Sequence, residues 1–114
     1  MPQEPLVIED LVGPKEGQRI LRLDGPLVIS NLFDFQAKVR ADNSRDLFLD
    51  FTNVPYVDSA GIGALVGAYA THQKDGRRLY LIGVCDRVQD ALQVTRVKQF
   101  FNFFDSLAAA EEAS

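Results

Sequence analysis

The apolar positions fall into two rhythms. Leu6-Val7-Ile8-Glu9 reads as a short first strand, and Val12-Gly13-Pro14-Lys15-Glu16-Gly17 supplies turn chemistry after it. Ile20 to Leu23 continue in strand character until Asp24-Gly25-Pro26 stops them. Ser30 or Asn31 then caps a helix whose inward face, Leu32, Phe35 and Val39, has helical spacing; Asp42-Asn43-Ser44 ends it. Leu47-Phe48-Leu49-Asp50-Phe51 is nearly all apolar, as a strand covered on both faces would be. A loop with Pro55 leads to a helix over about Ser59 to Lys74, stopped by Asp75-Gly76. Leu79 to Val84 predicts the next strand. Asp86 caps a helix carrying Val88, Ala91, Leu92 and Thr95 on one stripe. Phe100 to Phe104 predicts the last strand, and Asp105 or Ser106 starts a short C-terminal helix. Strands and helices alternate from about residue 20, so layer packing predicts an α/β domain with helices on a central sheet.

Composition narrows the chemistry. At 114 residues, with 46% hydrophobic and 25% charged positions, the chain has the make-up of one globular domain. Twelve Lys and Arg against sixteen Asp and Glu give a net charge of -4, which argues against nucleic acid as a partner. A single cysteine, Cys85, excludes an internal disulfide and a thiolate metal cage, and its apolar context predicts a buried structural residue. One histidine cannot build a metal site of several histidines; a carboxylate-only magnesium site stays open. No apolar run reaches the roughly 18 to 20 residues of a membrane span. Met1-Pro2-Gln3-Glu4-Pro5 lacks the basic start and apolar stretch of a signal peptide, so the expected location is the cytoplasm.

Two features of the Ser59 to Lys74 helix are unusual. Ile62, Leu65, Val66 and Tyr69 are spaced to pack on the sheet, whereas Ala60, Gly63, Ala64, Gly67 and Thr71 fall near the opposite side. A helical glycine costs about 0.8 to 1 kcal/mol relative to alanine, so something favours Gly63 and Gly67. Either a neighbouring element packs closely there, or a partner protein docks on a smooth face. At the helix start, the Ser59 hydroxyl and the Asp58 carboxylate are both able to cap. The same place suits a phosphoryl group, because free amides and the positive end of the helix dipole face it.

Enzyme readings fit poorly. Val57-Asp58-Ser59-Ala60-Gly61 lacks the first glycine of a nucleophile elbow. His72 lies thirteen residues along the same helix, about 20 Å from Ser59, and reads as an exposed residue near a helix end. The spacing of Gly61, Gly63 and Gly67 misses the dinucleotide fingerprint by one residue, and no phosphate loop is present. The expectation is a protein without catalytic residues, cofactor or metal.

The run Asp58-Ser59-Ala60-Gly61-Ile62-Gly63, placed after the Leu47 to Phe51 strand and the Pro55 loop, resembles the STAS domain family. That family is shared by sulfate transporters and anti-sigma factor antagonists, and a free-standing acidic chain of this length is most similar to the bacterial antagonists. The resemblance includes Leu21-x-Leu23-x-Gly25-x-Leu27, the Leu79 to Val84 strand, the helix after Asp86 and the aromatic last strand. It implies a single domain over residues 1–114, with a core of about 18–108, an N-terminal strand and turn over 1–17 and a frayed end at 109–114. The implied fold is a mixed sheet of four to five strands with about four to five helices. It further implies that Ser59 is phosphorylated by an anti-sigma factor with serine-kinase activity, and that a phosphatase can reverse the step. The unphosphorylated form sequesters the anti-sigma factor and so releases a sigma factor. Asp58, Ala60, Gly61, Gly63, Ala64 and Gly67 would belong to the motif and its docking surface.

Three positions depart from the family pattern. Gly25-Pro26-Leu27-Val28 stands where a Gly-Glu-Leu-Asp run is frequent, Ala60 replaces a second serine, and Thr95-Arg96-Val97 replaces a Ser/Thr-Gly-Leu. Two alternatives follow: a STAS scaffold that is never phosphorylated, or the STAS subunit of a lipid-transport complex with an ATPase. A response-regulator receiver fits less well, because Asp50, Pro55 and Asp58 are spaced one residue too long before the proline.

Overall fold

The computed structural model describes residues 5–113; residues 1–4 and 114, which the expected domain includes, lie outside them. Five strands form one sheet in chain order: β1 (Val7–Val12), β2 (Gln18–Asp24), β3 (Asp46–Asn53), β4 (Arg78–Ile82) and β5 (Asn102–Phe104). β1 pairs antiparallel with β2, and the remaining neighbours are parallel. Parallel neighbours need crossovers, which are α1 (Leu32–Ala41), α2 (Ser59–Lys74) and α3 (Asp86–Val94); α4 (Leu107–Ala113) ends the described chain. The mixed α/β sheet expected from the sequence is therefore present.

Register explains the unbroken apolar runs. Leu21, Leu49, Leu81 and Phe103 stand side by side across the four parallel strands and join the core beneath α1, α2 and α3. Their neighbours Ile20, Phe48 and Tyr80 line the other face, which α4 covers through Leu107 and Ala110. Both faces of the central strands are buried, so alternation disappears from their sequence.

Several boundaries differ from the sequence reading. β1 runs on to Val12, beyond the expected Glu9, because its antiparallel ladder with β2 continues to the pair Val12–Arg19; Arg19 also reaches Asp10 at 2.6 Å. β5 begins at Asn102, since Lys98–Phe100 coil into one 3-10 turn. Cys85, not Asp86, holds the N-cap position of α3; Asp86 lies in the first turn, where its charge meets the positive helix end. Cys85 is half-buried, with its Sγ 3.5 Å from the Val54 carbonyl. Ser106 caps α4 by accepting from the Ala109 N–H at 3.2 Å.

The largest correction concerns His72. It is 1% exposed rather than a surface residue. Helix α2 is covered by α1 as well as by the sheet, so its buried set is wider than expected. Gly61, Ala64, Ala68 and His72 join Ile62 and Leu65 inside, while Val66 and Tyr69 are half-buried. Among the described residues no helix is long and apolar enough to cross a membrane, and no cluster of three or more metal-ligating side chains forms.

Candidate functional site

β3 and the 54–57 loop deliver the chain to the start of α2 at one end of the sheet. Asp58, not Ser59, is the cap: its backbone is extended and one carboxylate oxygen accepts from the Gly61 N–H at 2.8 Å. The other oxygen accepts from the Ile29 N–H at 3.0 Å. Ser59 is the first helical residue and is exposed. Its hydroxyl makes no hydrogen bond among the described residues.

The glycines separate into two kinds. Gly61 is buried, and a Cβ there would fall on the Leu27 carbonyl oxygen. It is a packing residue, because the 26–31 loop lies across the helix start and Leu27 bridges to Val57. Gly63 and Gly67 are exposed, and a Cβ at either would meet nothing within 4 Å. Close packing inside the domain therefore does not account for them. They border a groove of about 230 Å³ between α1 and α2, floored by Phe35, Val39, Ala64 and Ala68. Ala60 is half-buried and Ala64 is 8% exposed, so neither offers much free surface.

One residue bonded to the site escaped the sequence reading. Ile29, whose N–H donates to Asp58, is 61% exposed. The available signal was an apolar side chain inside a stretch otherwise read as turn and cap.

A second polar cluster lies at the far end of α2. His72 Nδ1 lies 2.9 Å from the Ala68 carbonyl and donates to it, which leaves Nε2 3.5 Å from Asp42 Oδ2. That separation is long for a hydrogen bond and is better described as electrostatic contact. Ser44 Oγ donates to the same oxygen at 2.8 Å, and Arg77 donates to the Asp42 carbonyl at 2.9 Å. Burial pushes the Asp42 carboxyl up, but its contacts with His72 and Ser44 outweigh that and hold it below the usual carboxylate range. Thirteen residues of helix separate this cluster from Ser59 by about 20 Å, so it ties α1 to α2 and supplies no base to the serine.

Residues 12–110 match the family model of the STAS domain. The chain belongs to the STAS domain family. An anti-sigma-B factor antagonist of Staphylococcus aureus (strain NCTC 8325 / PS 47) is 30% identical over 74 residues, which are 65% of this chain and 68% of the relative. The solved structure of an anti-sigma factor antagonist from Mycobacterium paratuberculosis has a TM-score of 0.77 at 18% identity, covering 94% of this STAS domain and 93% of that chain. The Bacillus cell fate determinant SpoIIAA in its phosphorylated form gives a TM-score of 0.73 at 14% identity, covering 95% and 100%. At such identities the two structures establish likeness of fold. In this STAS domain Asp58 to Gly63 form the β3–α2 junction, with the serine outward and Gly61 inward.

Proposed function

We propose that this STAS domain is an anti-sigma factor antagonist whose binding is switched by phosphorylation of Ser59. The observation that carries the reading is the division of labour at the start of α2. Asp58 caps the helix, which leaves the Ser59 hydroxyl exposed and unengaged. A phosphate can be added there without removing a cap. The helix dipole favours the added charge, so the fold survives it.

A partner would experience the same charge differently. A phosphoserine brings about -1.5 to -2 charges, directly beside the Asp58 carboxylate. On a face made smooth by Gly63 and Gly67 a docked protein leaves little room for water to solvate them. Unphosphorylated, the face accepts an anti-sigma factor and a sigma factor is released; phosphorylated, the complex separates. The phosphoryl transfer belongs to the partner as serine kinase. The Ser59 oxygen attacks the γ-phosphorus of ATP, ADP leaves, and a base of the kinase takes the hydroxyl proton. A phosphatase restores the binding form.

The test is a titration of wild type, Ser59→Ala and Ser59→Asp against the purified anti-sigma factors of the host, followed by ATP and mass spectrometry. Ser59→Ala should bind as wild type and melt at the same temperature, because the serine is not the cap. Ser59→Asp should bind about tenfold or more weakly, through repulsion and desolvation beside Asp58. Phosphate should appear once, on Ser59. Equal affinities for all three proteins would leave Ser59 as the first residue of a helix and nothing more.

A further inference from the structure

The Asp58 carboxylate makes one bond more than a cap requires. Its bond from the Gly61 N–H at 2.8 Å satisfies the helix start. Its second bond, from the Ile29 N–H at 3.0 Å, fastens the 26–31 loop to the residue before Ser59. That loop already has its own internal bracing. Asn31 Oδ1 accepts from the Val28 N–H at 3.1 Å, Asn31 Nδ2 donates to the Pro26 carbonyl at 2.8 Å, and the Asn31 N–H closes a turn on the Val28 carbonyl at 3.0 Å. These bonds fix the shape of the loop, but not its place on α2. Leu27 is placed by its bridge to Val57 and by the close approach of Gly61. Val28 and Leu32 are buried on either side; between them, the Asp58 carboxylate supplies the bond that ties the Ile29 backbone to the start of α2. The loop presents Ile29 outward at 61% exposure.

We propose that Asp58 is a positioning residue that sets the Ile29 side chain at a fixed place near Ser59, so that the anti-sigma factor meets the hydroxyl and this apolar group as one preformed surface. The proposal rests on the antagonist reading above. An exposed apolar side chain contributes to affinity in full only when its place is fixed before binding, since ordering it on binding opposes association. The partner chemistry this implies is an apolar pocket next to the centre that phosphorylates Ser59.

Asp58→Asn tests this. Asparagine is as good an N-cap as aspartate, yet its amide has one acceptor oxygen where the carboxylate has two. With that oxygen on Gly61, its NH2 faces the Ile29 N–H, donor against donor. In the free protein, amide exchange at Ile29 should rise by about tenfold or more while the α2 amides hold within about twofold. Against the anti-sigma factor that binds wild type, Asp58→Asn and Ile29→Ala should each weaken binding by about tenfold, and the double variant by little more than either. A purely structural cap would leave Asp58→Asn near wild type in melting point, Ile29 exchange and affinity, because asparagine caps as well as aspartate.

Should Asp58→Asn unfold, Ile29→Pro removes the same donor and spares the cap. It sits at the second position of the 28–31 turn, where the φ of proline is accepted, and it must then bind more weakly than Ile29→Ala. Unchanged Ile29 exchange, or losses that multiply, overturns the positioning role while the antagonist reading stands. If wild type binds none of the anti-sigma factors, the antagonist reading falls and takes this proposal with it.

Discussion

Gly61 and Gly63 are two residues apart on one helix, yet substitution should move stability in opposite directions. Alanine at Gly61 drives a methyl into the Leu27 carbonyl oxygen, which is backbone and cannot turn aside. Overpacking of this kind costs about 1 to 3 kcal/mol, against a gain of up to about 1 kcal/mol from helix propensity; a net loss is expected. Alanine at Gly63 meets open space, so the propensity gain of about 0.5 to 1 kcal/mol should appear nearly whole. Urea midpoints at unchanged slope check both. The sequence displayed both glycines but could not separate them, because the residue that distinguishes them, Leu27, comes from a distant connection. His72 shows the opposite case. Its spacing of three from Tyr69 and seven from Leu65 places it on the expected sheet-facing stripe, a signal that was legible and that its polarity obscured.

At the scale of elements, α2 matches its expected limits because punctuation is explicit at both ends, Asp58 before it and Asp75-Gly76 after it. Strand ends carried no such marks. β1 was extended by its ladder with the distant strand β2, and β5 was shortened by a 3-10 turn just before it. What α2 does is also a matter of faces. Gly67 is exposed on the groove beside α1, and a methyl group there would meet no atom within 4 Å. Gly67→Arg should therefore leave the melting temperature nearly unchanged while abolishing anti-sigma factor binding, because a long cation fills the smooth face. A collapsed melting midpoint would place Gly67 in the packing of the domain and refute the docking face.

Over the whole molecule, the two ends of α2 have different duties, and pH separates them. Asp42 draws the ends of α1 and α2 together through His72, and its side chain is only 5% exposed. Burial opposes its ionisation, but the His72 and Ser44 contacts prevail and hold its carboxyl below the ordinary value. Asp10, on the outer strand, is held low by its hydrogen bond from Arg19. A carboxyl with a lowered folded pKa binds fewer protons folded than unfolded. Its contribution is complete above the ordinary value of 3.8 and disappears as pH falls through the folded value. Stability should thus decline on the acid side of 3.8, and Asp42→Asn should flatten that limb. Asp10→Asn should flatten it less, since its pair is more exposed and screened by solvent. Urea unfolding of the three proteins across the acid range checks the order. At neutral pH, Asp42→Asn lowers stability, but its contact His72 lies about 20 Å from Ser59 along α2, so partner affinity should stay at the wild-type level. If affinity fell as well, the two ends of α2 would be coupled, and the clamp at Asp42 would be part of the switch rather than its support.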